Sequence, residues 1–473
     1  MHNVVKRTFL LLFVVVAFLG GTAFLAFEIL TNADEWVKKD INPHVSTEVK
    51  YQINAVYDRN NTVLAQLETP EDAVNEADKR LIRNKDDEQL RIATLHALGG
   101  PYMELGLTGY FTGTPVTDNY DIVNGLYDQA KDNTVKDFYL TIDGKVCKKA
   151  YEALDGKKGT VGVYNYKTGE IICMVSTPAF DPNNPPVDQK ELEANYPVST
   201  YNKMLSLTYT PGSIFKIITS ACAIEFIPDI YSRTFYCDGA HEVEGYDAVV
   251  TCNKKSGHGK LTFEQALNCS CNCVFAELSI MLGKDRLTYT AQQLGFTGSY
   301  YMDRHLIKSG TFDLSNAVDI DIGWAGVGQY NVRANPCSMM TLMGAIANGG
   351  TAVKPYYVQK SVDKYGETVY QAQTETVDTI NMSPDMAGKL KKLLRSNVVN
   401  YYGDKRFPNL QMCGKTGTAE IGRDDLNNAW FVGFSQREDF PYAVVVMVEE
   451  TDKSASEIAI PIANEVLQCV LGG

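Results

Sequence analysis

The chain of 473 residues leaves room for one large domain or two smaller ones, each with a full core. With 45% hydrophobic and 21% charged residues it reads as a globular chain, and a net charge of -13 argues against nucleic acid as a partner. No basic stripe, zinc-finger spacing or glycine-rich phosphate loop appears, and the odd count of 11 cysteines excludes a framework in which every cysteine pairs within the chain.

The first element is apolar. Phe9 to Phe27 is interrupted only by Gly20, Gly21 and Thr22, which is long enough to cross a bilayer. Lys6 and Arg7 precede it, and Asp34 and Glu35 follow it. The positive-inside rule then predicts a single-pass anchor with everything after residue 30 on the extracytoplasmic side. The alternative is a cleaved signal peptide ending near Gly21-Thr22-Ala23, for which the apolar run is long. Residues 1–30 are therefore expected to be tail and anchor, 31–138 a stalk with a small non-catalytic module, and 139–473 the catalytic domain.

Within the module, Val49 to Ala65 reads as two strands joined by a turn at Asp58-Arg59-Asn60-Asn61, and Asp72 to Arg91 as a polar helix. From Tyr139 the texture changes. A short strand (Tyr139–Asp143) and a helix (Lys145–Leu154) precede a hairpin whose turn is Lys167-Thr168-Gly169. A Pro-rich loop follows from Pro178 to Pro186, and Ser213 to about Gly350 is expected to be mostly helical. Met412–Ala419, Trp430–Ser435 and Tyr442–Glu449 read as three strands before a terminal helix from about Ser456 to Leu471. Two early and three late strands predict a mixed α+β domain: one five-stranded antiparallel sheet closed by both ends of the domain and flanked by helices.

Three motifs carry the chemistry: Ser213-Ile-Phe-Lys216, Ser270-Cys-Asn272 and Lys415-Thr416-Gly417-Thr418. Each alone is weak. Ser361-Val-Asp-Lys364 also spells S-x-x-K, and Lys167-Thr168-Gly169 also spells K-T-G, but both read as surface turns between strands. Ser213 instead follows Pro211-Gly212 and opens an apolar run, Ile214-Phe215 and Ile217-Ile218 through Ile224, so it is expected in the first turn of a buried helix. At i and i+3, Ser213 and Lys216 share a face.

A hydroxyl becomes a useful nucleophile when a base takes its proton. A free lysine has a pKa near 10.4 and must fall by about three units to serve as that base at neutral pH, at a cost of about 4 kcal/mol. Burial and the nearby cation of Lys415 both act in that direction. Ser270 is read as a proton relay, and Asn272 as a partner of Lys216 that offers its amide to substrate. Lys415 with Thr416 and Thr418 is read as a carboxylate dock, and Gly417 as clearance for substrate along the strand. The backbone N–H groups of Ser213 and Thr418 are the expected oxyanion hole.

Cys237 and Cys252 flank a polar segment in which a bridge is possible. Cys269, Cys271 and Cys273 alternate around the second motif, but no histidine or fourth ligand stands beside them in sequence. No metal and no cofactor is expected.

On these motifs the chain resembles the class B penicillin-binding proteins, peptidoglycan D,D-transpeptidases. Thr177-Pro178-Ala179-Phe180-Asp181-Pro182-Asn183, Thr210-Pro211-Gly212-Ser213, Gly328-Gln329, Ala347-Asn348-Gly349-Gly350 and Trp430-Phe431-Val432-Gly433 add to the likeness. Ala55 to Ala65 is similar to the family's membrane-proximal signature, with Ile53-Asn54 where Arg-Gly is usual and Asn61 where Gly is usual. The resemblance implies a serine β-lactamase/D,D-transpeptidase-like fold and a stem-peptide donor ending in D-Ala-D-Ala. It also implies an amine acceptor on a neighbouring strand, covalent inhibition by β-lactam antibiotics, and a SEDS-type membrane glycosyltransferase as partner. The rival readings are a membrane-anchored serine β-lactamase and a catalytically vestigial scaffold or β-lactam sensor. A class A β-lactamase places its E-x-x-L-N glutamate after the second motif, whereas Glu264-Gln-Ala-Leu-Asn268 precedes Ser270 here.

Overall fold

The computed structural model describes residues 11–16, 18–24, 27, 53–69, 80–100, 102–103, 136–303, 305–422 and 426–473. By compactness the chain divides into two units, Met1–Gln52 with Tyr110–Val135, and Ile53–Gly109 with Lys136–Gly473. In the first, residues 11–16 and 18–24 are helical and exposed. No helix among the described residues is long and apolar enough to cross a membrane. The expected span Phe9–Phe27 lies partly outside the described residues.

The second unit contains two large sheets. In chain order its first strands are β1 (Ile53–Tyr57), β2 (Val63–Glu68), β3 (Arg80–Arg83), β4 (Lys136–Leu140), β5 (Gly159–Asn165) and β6 (Ile171–Thr177). Seven short strands follow: β7 (Thr234–Cys237), β8 (Ala240–Glu242), β9 (Val249–Thr251), β10 (Gly259–Thr262), β11 (Gly298–Met302), β12 (His305–Phe312) and β13 (Val332–Ala334). The last are β14 (Val358–Asp363), β15 (Thr368–Gln371), β16 (Met412–Glu420), β17 (Asn427–Ser435) and β18 (Tyr442–Thr451).

The expected five-stranded antiparallel sheet is present in the order β16-β17-β18-β5-β6. Its centre is apolar on both faces: β17 is buried from Asn428 to Ser435 and β18 from Ala443 to Val448. A strand buried on both sides needs a layer on each, which is why both read as near-continuous hydrophobic runs. The terminal helix Ala455–Leu471 packs on β17, β18 and helix Gly144–Leu154, while helix Pro336–Ala347 packs on β17, β18 and β5.

The second sheet, ordered β15-β14-β4-β1-β2-β3, joins strands from both sides of residue 139. The hairpin read at Asp58–Asn61 is present, with Asn61 at a φ of 63°, the left-handed conformation its short amide tolerates. The helix expected over Asp72–Arg91 is corrected where it is described. Arg80–Arg83 is a strand that completes the sheet beside β2, and the helix is confined to Glu88–Ala93. Arg91 grips Asp181 with two bonds of 2.6 and 2.7 Å, and Asn183 exchanges bonds with the Arg83 backbone at 3.0 and 3.1 Å. The loop at Pro178–Pro186 is thereby tied to the β1–β3 region.

Two further expectations change. The stretch Ser213–Gly350 carries the seven short strands β7–β13 among its helices. Ser361 is buried inside β14, and the turn is formed by the following residues, with Gly366 donating to the Asp363 carbonyl. Lys167-Thr168-Gly169 is a turn as read, with Gly169 at a φ of 92°.

Candidate active site

Ser213 lies in a 3₁₀ turn, Gly212–Phe215, which runs into helix Lys216–Phe226. The turn is held from three directions. The Trp430 indole donates to the Thr210 carbonyl at 3.0 Å. The Gly212 N–H donates to the Gly328 carbonyl at 2.9 Å. Gly417 of β16 abuts the turn so closely that a Cβ there would stand 2.5 Å from the Pro211 carbonyl oxygen and 3.1 Å from the Ile214 nitrogen. Gly417 thus lets β16 approach the turn. Upstream, Lys203 is buried against Glu449 of β18, which also accepts from the Tyr209 hydroxyl at 3.1 Å.

Ser213 is partly exposed and Lys216 is fully buried. The Lys216 amine donates to the Ser270 carbonyl and to Asn272 Oδ1, both at 2.7 Å, and lies 3.3 Å from Ser270 Oγ. Lys415, equally buried, donates to the same Ser270 Oγ at 3.0 Å and to the Thr416 carbonyl at 3.0 Å. Ser270 reaches this position between two amines in a left-handed backbone conformation, φ 57°. Such a conformation costs about 1–3 kcal/mol in a non-glycine residue and persists only where surrounding contacts enforce it.

Burial first, and the like charge of Lys415 second, lower the Lys216 pKa to about 7. Burial likewise lowers Lys415 to about 7. The two amines face one hydroxyl. A neutral amine keeps two N–H donors and one lone pair. The two short bonds of Lys216 match those two donors, and the lone pair is then free to accept a proton.

The structure therefore brings Lys216, Ser270, Asn272 and Lys415 together, with Ser213 on the turn that runs into Lys216. Asn272 meets Lys216 as read, but it also donates from Nδ2 to the Thr251 carbonyl at 3.0 Å. Thr418 is exposed on β16. Thr416 is already engaged: its hydroxyl lies 2.7 Å from the Tyr402 hydroxyl, to which its N–H also donates at 2.8 Å. Sequence reasoning missed Tyr402, which sits at the end of a π-helical turn, Val398–Tyr402, outside any motif. A cleft of about 940 Å³ is lined by Thr251, Asn253, Asp238, Glu242 and Glu420 among others.

Comparison with known proteins matches residues 159–468 to the transpeptidase domain of penicillin-binding proteins. The chain belongs to the penicillin-binding protein transpeptidase family. It is 31% identical over 352 residues to stage V sporulation protein D of Bacillus subtilis, a match covering 70% of this chain and 53% of that one. It is 28% identical over 359 residues to the peptidoglycan D,D-transpeptidase PbpA of Mycolicibacterium smegmatis, covering 70% of this chain and 72% of that one. The chain thus spans about half the length of the Bacillus relative. Among solved structures, penicillin-binding protein A of M. tuberculosis, as a ceftriaxone acyl-enzyme, shares the fold at a TM-score of 0.75 and 22% identity. That likeness covers 89% of this chain and 98% of the other.

Proposed function

We propose that this penicillin-binding protein is a serine D,D-transpeptidase that cross-links peptidoglycan stem peptides and is acylated by β-lactams at Ser213. The observation that carries the reading is the convergence of Lys216 and Lys415 on Ser270 Oγ beside the Ser213 turn. Neutral Lys216 takes the Ser213 proton as Ser213 Oγ attacks the carbonyl between two terminal D-alanines. The C–N bond breaks, and the leaving D-alanine takes a proton relayed through Ser270. An acceptor amine then attacks the ester, returns its proton along the same route and restores the Ser213 hydroxyl. The backbone N–H groups of Ser213 and Thr418 stabilise the oxyanion of each tetrahedral intermediate. Lys415 and the exposed Thr418 hold the substrate carboxylate. That carboxylate favours the charged form of Lys415, and a charged Lys415 in turn favours neutral Lys216, so docking itself arms the base.

The charge flanks of Phe9–Phe27 support an anchor in the cell membrane with the catalytic domain outside it. A SEDS-type glycosyltransferase as partner rests on the class B resemblance. The decisive experiment is labelling with a fluorescent penicillin followed by mass mapping of the adduct. The expected adduct is on the Ser213 peptide and is lost in Ser213→Ala. An adduct on Ser270 or Ser361, or label retained by Ser213→Ala, overturns the assignment.

A further inference from the structure

The cysteines around the second motif have a use that the acyl-transfer reaction does not give them. Cys237 ends β7, Cys252 follows β9, and Cys271 and Cys273 flank Asn272 at the start of helix Asn272–Gln293. Three segments remote in sequence thus deliver four sulfurs to one point, all within 4.8 Å of one another, and all four residues are buried. The Cys252 and Cys271 sulfurs are 3.8 Å apart. A disulfide needs about 2.05 Å. Four thiolates at about 2.3 Å around a tetrahedral zinc ion place their sulfurs about 3.8 Å apart.

The surroundings fit the same purpose. His258 Nδ1 lies 3.4 Å from the Cys252 sulfur and 3.7 Å from that of Cys237, where in the Nδ1–H tautomer it would support thiolate charge. Gly239, two residues after Cys237, has a φ of 112°, and its carbonyl accepts the Cys252 N–H at 2.9 Å. A Cβ at Gly239 would meet the Lys255 carbonyl oxygen at 2.1 Å. Only glycine lets the two ligand-bearing loops close on each other there.

We infer that Cys237, Cys252, Cys271 and Cys273 bind one structural zinc ion that clamps the second motif. Zinc suits a closed set of four soft thiolates, which leaves no open position for catalysis. Binding converts four thiols and one Zn²⁺ into a tetrathiolate complex and releases four protons, with no change of oxidation state. Ligands on both sides of Asn272 fix its side chain against Lys216, and the same clamp holds Ser270 in its left-handed conformation one residue before Cys271. This positioning role rests on the transpeptidase reading, but the metal site does not. The expectation of a metal-free chain counted only ligands adjacent in sequence. It weighed Cys269, whose sulfur instead faces the Ala266 carbonyl, and it could not see that β7 and β9 supply the other pair.

The test is elemental analysis of the full chain, purified under reducing conditions without chelator. About one zinc per chain is expected, and replacement by cobalt(II) should give thiolate charge-transfer bands with the visible spectrum of a tetrahedral site. Cys237→Ser and Cys252→Ser should lose most of the zinc, while Cys469→Ser keeps it. Stripping zinc should slow acylation by fluorescent penicillin at least about tenfold, and zinc chloride should restore it. Iron in place of zinc, disulfides among the four cysteines, or no zinc uptake on reconstitution overturns the site. Zinc bound but without effect on acylation overturns the clamp and leaves the metal site standing.

Discussion

At the scale of single residues, the proposed chemistry rests on Lys216 and Lys415. Both are fully buried and both address Ser270 Oγ. Holding Lys216 at a pKa of about 7 in place of 10.5 costs on the order of 5 kcal/mol, the difference that the proposed role as base requires at neutral pH. The sign for activity follows: acylation should rise with pH through about 7, as Lys216 loses its proton. In Lys415→Gln the like charge is gone, so the Lys216 pKa climbs and the rising limb moves to higher pH. Stopped-flow acylation across pH reads both, and an unmoved limb in the variant would falsify the coupling. Tyr402 makes a second prediction. Its hydroxyl is the acceptor for the Thr416 N–H. Tyr402→Phe leaves that donor short of a partner, at about 1–3 kcal/mol, so the melting temperature should fall and acylation should slow. An unchanged melting temperature together with an unchanged rate would remove Tyr402 from the site.

At the scale of elements, the site depends on one strand lying against one turn. Gly417→Ala pushes a methyl into the Pro211 carbonyl, which β16 relieves only by moving off the Ser213 turn. Overpacking of this kind costs about 1–3 kcal/mol, and a displacement near 1 Å slows a positioned reaction by about 10²-fold. The expected outcome is a folded protein with acylation slowed on that order, and wild-type acylation kinetics would show that the contact is not needed. The strands that build this arrangement were legible because β5, β6, β17 and β18 are buried on both faces and read as apolar runs. The strands β7–β10 were not. They are three or four residues long and half exposed, too short for a period of two or an apolar run to single them out. The strand at Arg80–Arg83 was hidden in a polar stretch because its pairing partner, β2, supplies what its own sequence does not advertise. The motif residues were legible because their chemistry is local in sequence. The Tyr402–Thr416 contact and the grouping of the four cysteines were not, because tertiary approach alone brings those residues together.

At the scale of the whole molecule, the question is whether the acyl-enzyme is an end point or a step in hydrolysis. Deacylation of a penicilloyl ester needs a water activated by a base. Glu264, the one glutamate placed as a β-lactamase motif would spell it, is exposed on helix Phe263–Asn268 and accepts from Ser396. Among the described residues, the partners of Lys216 and Lys415 are hydroxyl, amide and backbone oxygens, and none is a carboxylate. In the proposed mechanism Lys216 and Ser270 serve an incoming amine, and a bulky drug remnant should block that approach. Without a carboxylate to activate water, the barrier to hydrolysis stays several kcal/mol higher, at about 1.4 kcal/mol for each tenfold in rate. Penicilloyl label should therefore remain on Ser213 for hours after excess drug is removed, followed by gel fluorescence or intact mass. Steady turnover of a chromogenic cephalosporin would show instead that the fold supplies a water-activating base these contacts do not contain, and would move the chain toward hydrolysis.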